Sequence, residues 1–134
     1  MASGPLYAGT PRAGAAVVAT ANTNVDGTGT VTTVFSAGAN GSRVTRGVIQ
    51  GRVAAGSTQA NDTVNIFLHD GTNFFLLRSI EVPLGGAAIG AGEPNYHMTF
   101  EVDWQLPIGW SLRGATFTGG ATATYVVTFF GGDY

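Results

Sequence analysis

Apolar and polar residues alternate along this chain in short runs, each bounded by glycine and other small residues. Phe100, Val102, Trp104 and Leu106 alternate with Glu101, Asp103 and Gln105, which gives a strand one buried and one wet face. Val64, Ile66 and Leu68 alternate with Asn65, Phe67 and His69, and Ile49 and Val53 with Gln50 and Arg52. AVVATA at 16–21 and TVTTVF at 30–35 are short and rich in β-branched residues, which suit a pleated surface. FFLLRSIEV at 74–82 follows HDGTN, whose Asp70-Gly71 pair is a hairpin signal. Segments 110–113 and 122–130 complete a set of about eight strands at spacings of roughly 8–12 residues. No helix of ordinary length fits the pattern. PLGGAAIGAGEPN at 83–95, the longest interruption, is too rich in glycine to hold one. The pattern predicts an all-β chain, a jelly-roll-like antiparallel β-sandwich.

The first 14 residues stand apart. They hold two prolines and three glycines among small residues, and proline drives the residue before it into extended geometry. This predicts an extended N-terminal arm over 1–14 ahead of a single β-sandwich domain over 15–134. Leu6, Tyr7, Pro11 and Arg12 are the residues with which such an arm would anchor on a neighbouring surface. A frayed terminus is the alternative. The stretch lacks the basic segment and long apolar run of a signal peptide, and no segment approaches the length of a membrane helix. The expectation is no membrane association.

A chain of 134 residues is large enough to bury about two-thirds of its unfolded surface without disulfides or metal. It has no cysteine, so thiol chemistry is closed to it. Net charge is −2 and charged residues are only 10% of the chain, which gives no field for nucleic acid and a thin supply of catalytic groups. Every cation is an arginine, a side chain whose planar fork suits interface pairing.

Candidate chemistry is weak at each place where it is sought. His69 and His97 are the only imidazoles, and their spacing to Asp62, Asp70, Glu101 and Asp103 matches no metal motif. Asn24, Asp26 and Thr28 have the alternate oxygens of a calcium loop without its closing glutamate. GTGT and GANG lack the lysine of a phosphate loop. Ser42 or Ser111 with His97 and Asp103 makes a triad on paper, with no nucleophile elbow. The expectation is a protein that is not an enzyme, with no metal and no cofactor. The aromatics say more. Neighbours in a strand point to opposite faces, so Phe74-Phe75 and Phe129-Phe130 each leave one ring to be covered by a loop or another subunit. Phe75 and Phe130 are the candidate oligomer-interface residues.

NTNVDGTGT (22–30), VFSAGANGSRV (34–44), IFLHDGTN (66–73) and LPIGWSLR (106–113), in that order, make the chain resemble a family of small structural proteins encoded by tailed bacteriophages and prophages. It is similar in size and character to capsid decoration, or cement, proteins. The resemblance implies a homotrimer on the capsid surface of the virion, made in the bacterial host cytoplasm, with the major capsid protein as partner. The matched segments carry no binding motif, and the arm lies outside them. The alternatives are a receptor- or glycan-binding module of a head or tail fibre, using Tyr96, Trp104 or Trp110, and a tail or connector component.

Overall fold

A computed structural model describes residues 8–53, 61–82, 96–117 and 123–134. Eight strands follow one another: β1 (Thr10–Val18), β2 (Thr32–Ser36), β3 (Ser42–Val53), β4 (Asp62–His69), β5 (Phe74–Val82), β6 (His97–Leu106), β7 (Ser111–Thr116) and β8 (Ala123–Asp133). The described residues contain no helix. The strands form two antiparallel sheets that pack as a sandwich, ordered β1-β8-β3-β6 and β2-β7-β4-β5. The all-β sandwich expected from the alternation is thus present.

The pairings nest. β1 lies beside β8, β2 beside β7, β3 beside β6 and β4 beside β5. The chain is therefore one long hairpin with the β4–β5 turn at its tip, rolled until β3 also meets β8 and β4 meets β7. Every connection except that tip crosses from one sheet to the other.

The core lies between the sheets. Val18, Val44, Ile49, Phe100, Leu106, Tyr125, Val127 and Phe129 of the first sheet meet Phe35, Val64, Ile66, Ile80, Val82 and Leu112 of the second. Phe129 is fully buried there, with Phe100 edge-on at 6.2 Å and Trp104 tilted at 6.0 Å. Gly47 occupies the same row of the first sheet as Phe100 and Phe129. A Cβ there would collide with the far end of the Phe100 ring, so glycine leaves the room that this ring takes.

The two outer faces differ. On the second sheet, Phe67 and Ala115 alternate with core residues and yet are fully buried. The segment between β1 and β2 folds over that sheet: Ala21 bridges Thr116, and the Asn22 N–H donates to the Thr116 carbonyl at 2.8 Å. Asn22 is buried, and its side-chain amide donates to Thr28 and Thr30 carbonyls at 2.9 Å each. This closes NTNVDGTGT into a knot that brings Gly27 against Phe74. The calcium-like spacing is thereby explained as a cover for an aromatic cluster. Of the first pair of neighbouring phenylalanines, Phe74 is the one covered by a loop.

The N-terminal stretch departs from expectation. Strand β1 begins at Thr10, so residues 10–14 of the stretch read as an arm are paired with β8. The reason is the edge: β1 has β8 on one side only, and proline is tolerated where a strand's N–H groups need no partner.

Candidate functional site

One end of the sandwich collects most of the segments singled out by their sequence. Thr10 pairs with Asp133, Asp133 with Ser42, and Ser42 with Leu106. In the second sheet Ser36 pairs with Ser111, Ser111 with His69, and His69 with Phe74. The turns 37–41, 70–73 and 107–110 therefore lie together beside the start of β1 and the end of β8. Three of the four segments that carry the resemblance meet here.

Each turn is fixed locally. Asp70 Oδ1 accepts the N–H groups of Thr72 at 2.9 Å and Asn73 at 2.7 Å, and the Asn73 and Thr72 backbone donors hold its carboxyl below the usual range. In the second turn the Trp110 N–H donates to the Pro107 carbonyl at 3.1 Å. This leaves Ile108, 67% exposed, at the tip. In the third, the Gly41 N–H donates to the Gly38 carbonyl at 3.0 Å and the Gly38 N–H to Ser42 Oγ at 2.9 Å. Gly41, Gly71 and Gly109 all have φ between 83° and 100°, the left-handed region in which glycine pays no steric penalty.

An ionic network ties this end to both sheets. Arg12 Nη1 donates to the Ser36 carbonyl at 2.9 Å and to Asp133 Oδ1 at 3.0 Å. Ser42 Oγ donates to the same Asp133 oxygen. The Ser42 hydroxyl first, and the Arg12 guanidinium second, hold the Asp133 carboxyl below its ordinary value.

Arginine over phenylalanine recurs across the molecule. Arg12 lies over Phe35 at 4.9 Å, Arg46 over Phe130 at 4.7 Å, Arg78 over Phe100 at 5.0 Å and Arg113 over Phe74 at 5.5 Å. Arg43 Nε instead pairs with Asp103 Oδ1 at 2.8 Å. These cations are engaged inside their own chain.

The predicted site residues fall in separate places. Leu6 and Tyr7 lie outside the described residues. Pro11 is exposed on the β1 edge, whereas Arg12 is half-buried in the network above rather than extended along an arm. Phe75 is 47% exposed on β5, the outer strand of the second sheet. Phe130 is half-buried beneath Arg46, on the outer face of the first sheet. The two belong to different surfaces. What joins Phe75 is Leu76 and Leu77, 42% and 37% exposed. Leu77 is the extra residue where the β4–β5 register shifts. That bulge was not readable from the strand pattern. Ile108 was also missed, although an apolar residue between proline and glycine in LPIGW was its signal.

The candidate chemistry does not assemble. Among the described residues no group of three His, Asp or Glu side chains is placed to hold a metal. His69 rests against the Phe74 ring at 4.4 Å. His97 stands opposite Gln50, eight residues along β3 from Ser42, or roughly 25 Å away at strand rise, so the paper triad is not formed. Tyr96, Trp104 and Trp110 are each partly buried against the core. Tyr96 lines an open hollow of about 340 Å³ with Arg78, Ile80, Glu81 and Met98 on the β5–β6 flank. No family model, curated protein or solved structure matches this chain.

Proposed function

We propose that this chain is a non-enzymatic structural protein of a tailed-phage virion, a capsid decoration protein of the cement type acting as a homotrimer on the major capsid protein. The sandwich is read as a jelly roll, because its nested pairings are those of a single hairpin wound into two sheets.

The observation that supports this function best is how the surface is divided. One end is stiffened by three glycine turns and the Arg12–Asp133–Ser42 network and presents Ile108. The β5 flank leaves Phe75, Leu76 and Leu77 uncovered. Among the described residues, side chains with chemical potential are dispersed or held by neighbours. A stiff scaffold with uncovered apolar surface is suited to packing against a partner. In a trimer each small contact is multiplied through effective concentration. Burial of such surface across capsomer junctions makes the shell harder to separate. Where the sites are complete only in the expanded shell, binding stabilises that state by mass action.

The test is the copy number of this protein relative to the major capsid protein in purified virions, by quantitative mass spectrometry. A ratio near one is expected. A handful of copies per particle would move the protein to a fibre, tail or connector, and absence from the virion would overturn the reading.

A further inference from the structure

We propose that Asn40 is a deamidation site whose rate is governed by a clasp between Tyr134 and the turn 37–41. Of the asparagines in the chain, only Asn40 is followed by glycine. Glycine has no Cβ to obstruct its own backbone nitrogen, so that nitrogen can reach the preceding side chain. The glycine is also demanded by the fold. Gly41 has φ 88°, and a Cβ there would stand 2.9 Å from the Leu106 carbonyl oxygen. The reactive dipeptide is thus a consequence of the turn.

The chemistry needs only water. The Gly41 backbone nitrogen, having given up its proton to base, attacks Asn40 Cγ. The new C–N bond closes a five-membered succinimide, and the side-chain nitrogen leaves as ammonia. Water then opens the ring at either carbonyl, leaving aspartate or isoaspartate.

Asn40 is exposed to solvent, and both reacting groups are held. The Gly41 N–H donates to the Gly38 carbonyl at 3.0 Å, and Asn40 Nδ2 donates to the Tyr134 carbonyl oxygen at 3.2 Å. The Tyr134 N–H returns a bond to the Gly41 carbonyl at 3.2 Å. Attack therefore requires the clasp to open. Once the amide is a carboxylate, two acceptors face each other where a donor met an acceptor, next to the ionised Asp133. Deamidation releases Tyr134 from the turn and does not reverse.

The experiment holds the full chain at mildly alkaline pH and follows the Asn40 peptide by mass spectrometry. Four samples are compared: native protein, guanidinium-unfolded protein, a variant lacking Tyr134, and Tyr134→Ala, which keeps both backbone bonds of the clasp. Native and Tyr134→Ala protein should convert roughly tenfold or more slowly than the unfolded chain. The variant lacking Tyr134 should convert several-fold faster than the native protein, while the Gly41–Gly38 bond keeps it slower than the unfolded chain. Equal rates in native and unfolded protein overturn the clasp, as does Tyr134→Ala converting as fast as the deletion. An unfolded chain that does not convert overturns the site itself. Asn40→Asp gives a second measure that needs no truncation: the Tyr134 amide should exchange its hydrogen several-fold faster than in the native chain, and unchanged exchange removes the proposal.

Discussion

The guanidinium of Arg12 lies 4.9 Å above the ring of Phe35, and this contact joins β1 and β2, the outer strands of the two sheets on one flank. Arg78 over Phe100 at 5.0 Å does the same between β5 and β6 on the other. A sandwich is open along the flanks where outer strands of facing sheets do not pair. Here each flank is bridged by a cation laid on a nearly buried ring, with Phe35 1% and Phe100 6% exposed, and the β5–β6 flank keeps an open hollow beside Arg78.

Removing either cap should loosen its flank. Arg12→Ala and Arg78→Ala are each expected to cost about 1 kcal/mol through the lost ring contact. Arg12→Lys should recover only part, because an ammonium group cannot lie flat on a ring. Urea denaturation measures all three, and an unchanged midpoint would remove the bridging role.

Acid should weaken the end that holds Asp133. Its carboxyl is held below the ordinary value in the folded chain, so its contribution is fully present above about pH 4. That contribution is lost as pH falls through the lower folded value. Stability against pH should therefore fall more steeply in the acid limb for the native protein than for Asp133→Asn. Parallel acid limbs would contradict the network.

Alkali acts through Tyr125. Burial first, and Asp62 second, push its phenol well above the ordinary value. A raised value means stability that is present below about pH 10 and lost as pH rises towards the folded value. Tyr125 should thus stay protonated until the sandwich unfolds, which a near-ultraviolet titration reads directly. Asp62 itself is buried and accepts from Thr116 Oγ1 at 2.8 Å. Thr116→Val, which withdraws that donor, should cost about 1–3 kcal/mol.

Three glycines rank one another. At Gly131 a Cβ would strike the Arg43 backbone, which no rotamer change relieves. Gly131→Ala should cost about 3 kcal/mol or abolish folding. Gly47→Ala meets a side chain, Phe100, and should cost less. Gly109→Ala has open space and only a φ of 83° to resist it, so about 1–2 kcal/mol is expected. Thermal melts of the three variants check the order.

On the proposed homotrimer, association should run through β5, and a native chain that sediments as a monomer would remove that proposal. Phe75→Asp or Leu76→Asp is expected to shift the protein to a smaller species in analytical ultracentrifugation with unchanged circular dichroism. Phe130→Ala should change mass little, since that ring is covered by Arg46. The reverse pattern would place the interface on the first sheet.

How far the chain could be read varies with range. Phe100 to Leu106 was legible as a strand because its alternation is local and strict, and Asp70-Gly71 as a hairpin because turn chemistry spans four residues. Pro11 misled, since it looks like an arm residue until β1 is known to be an edge. The internal partner of Arg12 was not legible because Asp133 lies 121 residues away. The NTNVDGTGT segment offered its oxygens as ligands, and the fold uses Asn22 to knot it over Phe74. Ile108 and the β5 bulge at Leu77 were hidden because exposure depends on what packs alongside.

The class of fold and the rough positions of its strands were determined by the sequence alone, because periodicity and propensity are carried by neighbouring residues. Which strand is an edge, which turns share an end, which arginine caps which ring and which apolar residues stay uncovered were decided only by the tertiary structure. Those relations join residues tens of positions apart, and they exist only once the long hairpin has rolled β3 onto β8 and β4 onto β7.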